Sequence, residues 1–257
     1  MPKNRSAVPA HARASSDLYG LHAVRALLER HPERVGAVYL AERRDDVRIQ
    51  RIEHLARAAG RPVRRIEAQA LRQRLGDVAH QGVLAEIDPL PPWDEQQLIT
   101  ALERVPAPLL LALDGVQDPH NLGACLRTAD ACGVLAVVVP RDRAAHLTPV
   151  ARKVAAGAAE TTPLVVVTNL SRTLQLLKQA GLWVIGADAD APVRADEVDL
   201  SGPRVLVLGA EGAGLRHLTR QNCDYRVRLP QLGAVESLNV SVAAGMLLYE
   251  AVRQRRP

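Results

Sequence analysis

From Leu109 onward the chain alternates short, nearly continuous apolar runs with helix-patterned stretches, and no other feature constrains its fold as tightly. Strands that lack polar alternate positions are buried on both faces, which is the condition of a parallel sheet covered by helices above and below. The spacing predicts strands over 109–113, 134–139, 164–167, 182–187, 204–208 and 225–230, and helices over 122–132, 150–159, 170–180 and about 238–255. In such a sheet, ligands bind at the carboxyl ends of the strands.

The first third reads as a separate, smaller α/β unit, with helices over 21–30, about 47–59 and 68–75 and strands over 36–41, 62–66 and 82–87. Gly60 stands where a helix C-cap needs a residue free to adopt positive φ. The three prolines between Asp88 and Trp93 can continue neither a helix nor a central strand, so the domain boundary is expected there. The expected organisation is a flexible tail at 1–16, an RNA-binding domain at 17–88, a linker at 89–107 that carries a helix near 95–104, and a second domain at 108–257.

Composition narrows the function classes. The longest apolar runs are far shorter than the roughly 20 residues that cross a bilayer, so a soluble, cytoplasmic protein is expected, and the polar N-terminal residues lack the apolar core of a secretion signal. The three cysteines form no CxxC pair, the eight histidines are scattered, and GxSxG and HExxH are absent, so no disulfide framework, metal site or hydrolase triad is expected. Residues 1–88 carry 16 Lys and Arg against 11 Asp and Glu, whereas 89–257 carry 17 against 17. All but Lys3, Lys153 and Lys178 of the basic residues are arginines, which suit phosphate recognition. With aromatics at 2% and no Phe, the stacking platforms of single-strand binders are missing.

Three segments at expected strand ends gather the polar and glycine residues: 113–130, 208–215 and 229–241. Gly209, Gly212 and Gly214 allow close backbone approach to a ligand, but their GxxGxG spacing is not the dinucleotide fingerprint, and a tight structural turn is the plain alternative. Glu211 weighs against that alternative, since a turn between apolar elements needs no charge. Asn121 reads either as a helix N-cap or as a site residue. Arg127 sits among apolar neighbours and is expected to be partly buried beside an anion: Glu211, an RNA phosphate or a developing alkoxide. Ser237 and Asn239 fall at the start of the last helix, where one cap explains the serine but not both.

Together these segments resemble the three signature motifs of the SpoU-type 2′-O-ribose RNA methyltransferases of the SPOUT superfamily. NLGACLRTADACG (121–133), LVLGAEGAGL (206–215) and LPQLGAVESLNVSVAAG (229–245) appear in the family's order. Within that family the likeness extends over nearly the whole chain to the bacterial 23S ribosomal RNA guanosine-2′-O-methyltransferases, through YGLHAV (19–24), HQG (80–82) and EAVRQR (250–255). The resemblance implies an L30e-like N-terminal domain and a catalytic domain with a C-terminal trefoil knot. It also implies a homodimer, S-adenosylmethionine as methyl donor without a metal, and 23S ribosomal RNA as partner, with neither DNA nor membrane. Its catalytic set falls on Asn121, Arg127, Glu211, Ser237 and Asn239, and its cofactor contacts on Gly209, Leu229 and Leu238. Glu236 departs from the family's small polar residue before the serine. Because an arginine pKa above about 12 makes the neutral form scarce, Arg127 is expected to orient the ribose and not to act as a base. Transfer RNA or another ribosomal site is the alternative substrate, and a non-catalytic RNA-binding or assembly protein is the alternative of a different class.

Overall fold

The computed structural model describes residues 16–76, 78–235 and 237–255. Residues 1–15 of the expected tail and Glu236 lie outside the described residues. Two compact units part between Pro89 and Leu90.

In the first unit, β1 (Ser16–Tyr19), α1 (Leu21–Arg30), β2 (Val35–Ala41), α2 (Val47–Ala58), β3 (Val63–Ile66), α3 (Ala68–Leu75) and β4 (Val83–Ile87) follow one another. The sheet order is β1-β4-β2-β3, with β4 antiparallel to both neighbours and β2 parallel to β3. The side chain of Asp46 accepts from the amides of Arg48 and Ile49 and starts α2, which buries Ile49, Ile52 and Ala56 on one face of the sheet with Val24 and Leu27 of α1. Leu71 of α3 closes the other face on Tyr39 and Leu84. The short edge strand β1 has too few residues for a periodic signal and was not expected from the sequence.

The second unit contains α4 (Glu95–Leu102), β5 (Leu109–Asp114), α5 (Pro119–Ala131), β6 (Ala136–Pro140), α6 (Pro149–Ala155), β7 (Leu164–Val167), α7 (Leu170–Gln179), β8 (Trp183–Ala187), β9 (Val193–Arg194), β10 (Arg204–Gly209), α8 (His217–Asn222), β11 (Tyr225–Arg228) and α9 (Val240–Arg255). Its seven strands, ordered β7-β6-β5-β10-β8-β11-β9, are all parallel. The apolar runs feed two cores at once: Leu109, Leu111 and Leu113 of β5 face the helices α5, α6 and α9, while Leu110 and Ala112 face α4 and α7. The segment expected as a linker carries α4, whose Leu98 and Leu102 are buried in the second of these cores, and Trp93 exchanges backbone hydrogen bonds with Leu164 and Val166 beside β7.

One helix is shorter than its pattern. The expected run 150–159 stops at Ala155, because Ala156 and Gly157 turn to φ +51° and +100° and a separate turn over Ala158–Glu160 follows. Chain order reverses between β5 and β10, so the loops leaving these two strands open a crevice at their carboxyl ends.

Candidate active site

The loop leaving β5 ends where Asp118 accepts from the amide of His120 and Pro119 occupies the first helical position of α5. Asp118 therefore caps the helix, and the alternative reading of Asn121 as its cap is corrected: Asn121 lies inside the first turn, 9% exposed, with its side chain free for other partners. α5 is held in place by close helix contact, since a Cβ on Gly123 would stand 2.5 Å from the carbonyl oxygen of Ala151 in α6.

The loop leaving β10 is shaped by glycine. A Cβ on Gly209 would fall 2.0 Å from the carbonyl carbon of Gly214 and 2.4 Å from the amide of Leu215, so no other residue fits there without moving backbone. Gly212 and Gly214 adopt φ +73° and +63°, and the amide of Gly214 donates to the carbonyl of Ala210, folding the loop back on the strand end. This fold carries Glu211 across the crevice toward α5 and α9.

There three donors meet one carboxylate oxygen. Glu211 Oε1 accepts from Asn121 Nδ2 at 3.1 Å, from Asn239 Nδ2 at 2.6 Å and from the amide of Val240, the first residue of α9, at 3.2 Å. Asn239 Nδ2 also donates to Asn121 Oδ1 at 3.0 Å, while its Oδ1 accepts from the amide and hydroxyl of Ser241 and so caps α9. Oε2 has no protein partner among the described residues. One oxygen of Glu211 is thus saturated and fixed, and the other is available as an acceptor.

Behind this cluster, a cavity of about 200 Å³ opens at the carboxyl ends of β8, β10 and β11. Gly209, Leu229 and Leu238 line it, together with Glu211 and Ser237. Two further lining residues were missed by sequence reasoning. Asp188, just beyond β8, is almost wholly buried and is bound by Arg226 at 3.1 Å and Arg220 at 3.5 Å. Gln231 holds its Oε1 buried with no hydrogen-bond partner among the described residues. The signal for Asp188 was present, an acid immediately after a buried strand; Gln231 lies inside the 229–241 segment but was not singled out there.

Arg127 departs from expectation. Its side chain is exposed, and it makes no ion pair with Glu211 or any other described carboxylate. Leu122, Cys125, Leu126 and Ala129 form the buried face of α5, and Arg127 falls on the opposite one. The expectation of a partly buried arginine held by Glu211 is corrected accordingly. Among the described residues, no His, Cys, Asp and Glu cluster could hold a metal ion.

Residues 108–249 match the model of the SpoU rRNA Methylase family, and residues 18–93 match that of the RNA 2′-O ribose methyltransferase substrate-binding domain. The chain belongs to the SpoU rRNA methylase family. Among its relatives, the 23S rRNA (guanosine-2′-O-)-methyltransferase RlmB of Pseudomonas aeruginosa is 55% identical over 241 residues, covering 93% of this chain and 97% of that protein. RlmB of Coxiella burnetii is 49% identical over 239 residues, covering 93% and 95%. The fold is shared with the SpoU methyltransferase AviRb of Streptomyces viridochromogenes in complex with AdoMet, at a TM-score of 0.72 and 24% identity over 94% of this chain and 90% of that one. As a SpoU methylase, the chain concentrates its family motifs in the two loops and the helix start that meet at Glu211.

Proposed function

We propose that the chain transfers a methyl group from S-adenosylmethionine to the ribose 2′-hydroxyl of a guanosine in 23S ribosomal RNA, acting in the cytoplasm as a homodimer. The RlmB relatives, about half identical along nearly their whole length, support the reaction and the substrate. The observation that carries the site is the Glu211 carboxylate, fixed through Oε1 by Asn121, Asn239 and Val240 at the mouth of a cavity and open through Oε2.

The residues present fit the methyl donor. Gly209 lets the loop fold back on the strand end while lining the cavity, and the orphaned Oε1 of Gln231 offers an acceptor to an amino or hydroxyl group placed there. Gly209, Leu229 and Leu238 would hold the donor, which when bound supplies an electrophilic methyl carbon. Glu211 Oε2 accepts a hydrogen bond from the 2′-hydroxyl and aligns its lone pair for in-line attack. As the new O–C bond forms, that hydroxyl proton becomes strongly acidic, so a carboxylate suffices to receive it. Asn121 and Asn239 keep Glu211 from rotating away, and Ser237, on the cavity wall, offers a further hydroxyl to the ribose.

Arg127 acts across the dimer. A Cβ on Gly245 of α9 would lie 3.7 Å from Thr128 Cγ2, so the residue that follows Arg127 packs against α9. That helix exposes Val242, Met246 and Tyr249 at four- and three-residue spacing, preceded by exposed Leu232 and Val235. An apolar stripe of this kind suits a second copy of the chain, and a copy seated there would cover Arg127 and place it at the partner's site as an orienting cation. In the same reading, residues 17–88 are an L30e-like RNA-binding domain and residues 108–257 the catalytic domain, its C-terminal segment threaded as a trefoil knot.

The test is incubation with isotope-labelled S-adenosylmethionine and unmodified 23S, 16S or transfer RNA, followed by mapping of the label. Label confined to one guanosine ribose of 23S RNA is expected. Label in transfer RNA would move the substrate, and no label with any RNA would leave a non-catalytic binding protein.

A further inference from the structure

Asp114, the last residue of β5, is 1% exposed. Its Oδ2 accepts from the amide of Arg216 at 2.9 Å, whereas its Oδ1 has no hydrogen-bond partner among the described residues. The cation facing Oδ1 is the Nε of the same Arg216, at 3.6 Å. A buried carboxylate left this poorly satisfied costs stability and adds nothing to the core around it. What it does is fix Arg216.

The rest of the neighbourhood is arranged to the same end. Gly115 runs at φ +80°, and a Cβ there would stand 3.0 Å from Arg216 Nη2, so the glycine clears the space that the guanidinium occupies. Arg216 Nη2 donates to the carbonyl of Arg143 at 3.4 Å, and Arg143 adopts φ +54°, a conformation uncommon for a residue with a side chain. The loop after β6 is tied to the loop after β5 by the amide of Ala145 donating to Val116 at 2.7 Å. The guanidinium itself remains 44% exposed. One edge is therefore pinned by a buried charge and a carbonyl, and the other faces solvent beside the two loops that deliver Asn121 and Glu211.

Exposed Arg141 and Arg143 stand on the same loop, with Asp142 as its one acid, and neither arginine pairs with a described carboxylate. A fixed, planar, half-exposed guanidinium flanked by free arginines has the chemistry of a phosphate clamp. We propose that Arg216, fixed by Asp114, is a substrate-positioning residue that holds an RNA backbone phosphate next to the target nucleotide, with Arg141 and Arg143 extending the track. This rests on the reading of the chain as an RNA methyltransferase and adds the contact that fixes the RNA strand over Glu211.

The experiment compares the full-length protein with Arg216→Gln, Arg216→Lys and Asp114→Asn. RNA affinity is read as a function of salt, KM for RNA and kcat are read separately, and S-adenosylmethionine binding is followed by calorimetry. Arg216→Gln is expected to raise KM for RNA about tenfold and to lower the slope of log affinity against log salt by about one, the signature of one lost phosphate contact. It should keep kcat at saturating RNA within about twofold and leave cofactor affinity unchanged. Arg216→Lys should recover the salt slope but only part of the affinity, and Asp114→Asn should follow Arg216→Gln while melting as a folded protein. An Arg216→Gln variant with wild-type KM and salt slope overturns the proposal, as does one that loses kcat and cofactor affinity together. Failure of the wild-type protein to methylate any RNA would instead overturn the reading on which the proposal rests.

Discussion

Both units turn arginines on their own carboxylates and both leave some without one, but only in the second do unpaired arginines stand beside the candidate site. In the first, which holds all the excess positive charge, several arginines are turned on the unit's own carboxylates: Arg74 reaches Asp17 at 2.6 Å and Glu86 at 2.9 Å, Arg65 pairs with Glu53, and Arg44 lies 2.8 Å from Asp46, while Arg43 and Arg72 are exposed and face no described carboxylate. Arg64 and Arg74 also flank the ring of Tyr39. In the second, with a formal balance of zero, Arg127, Arg141 and Arg143 are exposed and face no described carboxylate, while Arg216 is pinned with one edge free. Net charge per region therefore says little about where a phosphate backbone docks; what sets the second unit apart is unpaired charge placed beside the candidate site.

The largest expected effect tests whether the free and the fixed charges cooperate across two chains. Glu211→Ala and Arg127→Ala should each lower kcat by about a hundredfold or more. Co-purified mixed dimers should nevertheless regain about half the wild-type activity, because one of the two sites then holds an intact Glu211 and an intact Arg127. Mixed dimers as inactive as their parents would place Arg127 in its own chain's site. Next in size is Gly209→Ala, whose Cβ meets backbone at 2.0 Å. Loss of at least about tenfold in S-adenosylmethionine affinity is expected, with destabilisation of about 1–3 kcal/mol by thermal melting. Arg127→Lys, which keeps the charge and loses the planar fork, should cost about tenfold in kcat if bidentate orientation matters.

The smallest effects belong to the first unit. Arg74→Gln should leave RNA affinity within about twofold and cost under about 1 kcal/mol, because the pair is partly exposed. Hydrogen bonding from Arg74 holds the Glu86 carboxyl below the ordinary glutamate range. That contribution is present above the unfolded glutamate pKa and is lost as pH falls through the lower folded value, so acid titration of stability should be shallower in Arg74→Gln than in the wild type. A large loss of RNA binding in Arg74→Gln would break the contrast between the two units.

The parallel sheet was legible in the sequence because its strands are buried on both faces, and a run such as Leu109–Leu113 can be little else. The glycine turn and Glu211 were legible as exceptions in an apolar context. Arg127 was misjudged because apolar neighbours in sequence lie on the buried face of α5, while the arginine occupies the opposite one. Asn121 was ambiguous until Asp118 proved to be the cap. Arg216 carried no signal at all: its role depends on Asp114, 102 residues away, and that pairing exists only once β5 and β10 lie side by side.

The central claim, a ribose methylation built on Glu211, is tested most directly by alkaline hydrolysis of 23S RNA after reaction with the wild-type protein and with Glu211→Ala. A 2′-O-methyl group removes the nucleophile that cleaves the adjacent phosphodiester. The wild-type reaction should leave a single alkali-resistant linkage on the 3′ side of one guanosine, and the Glu211→Ala reaction should leave none. A fully cleavable ladder from methylated RNA, or the same resistant linkage with Glu211→Ala, would contradict the account.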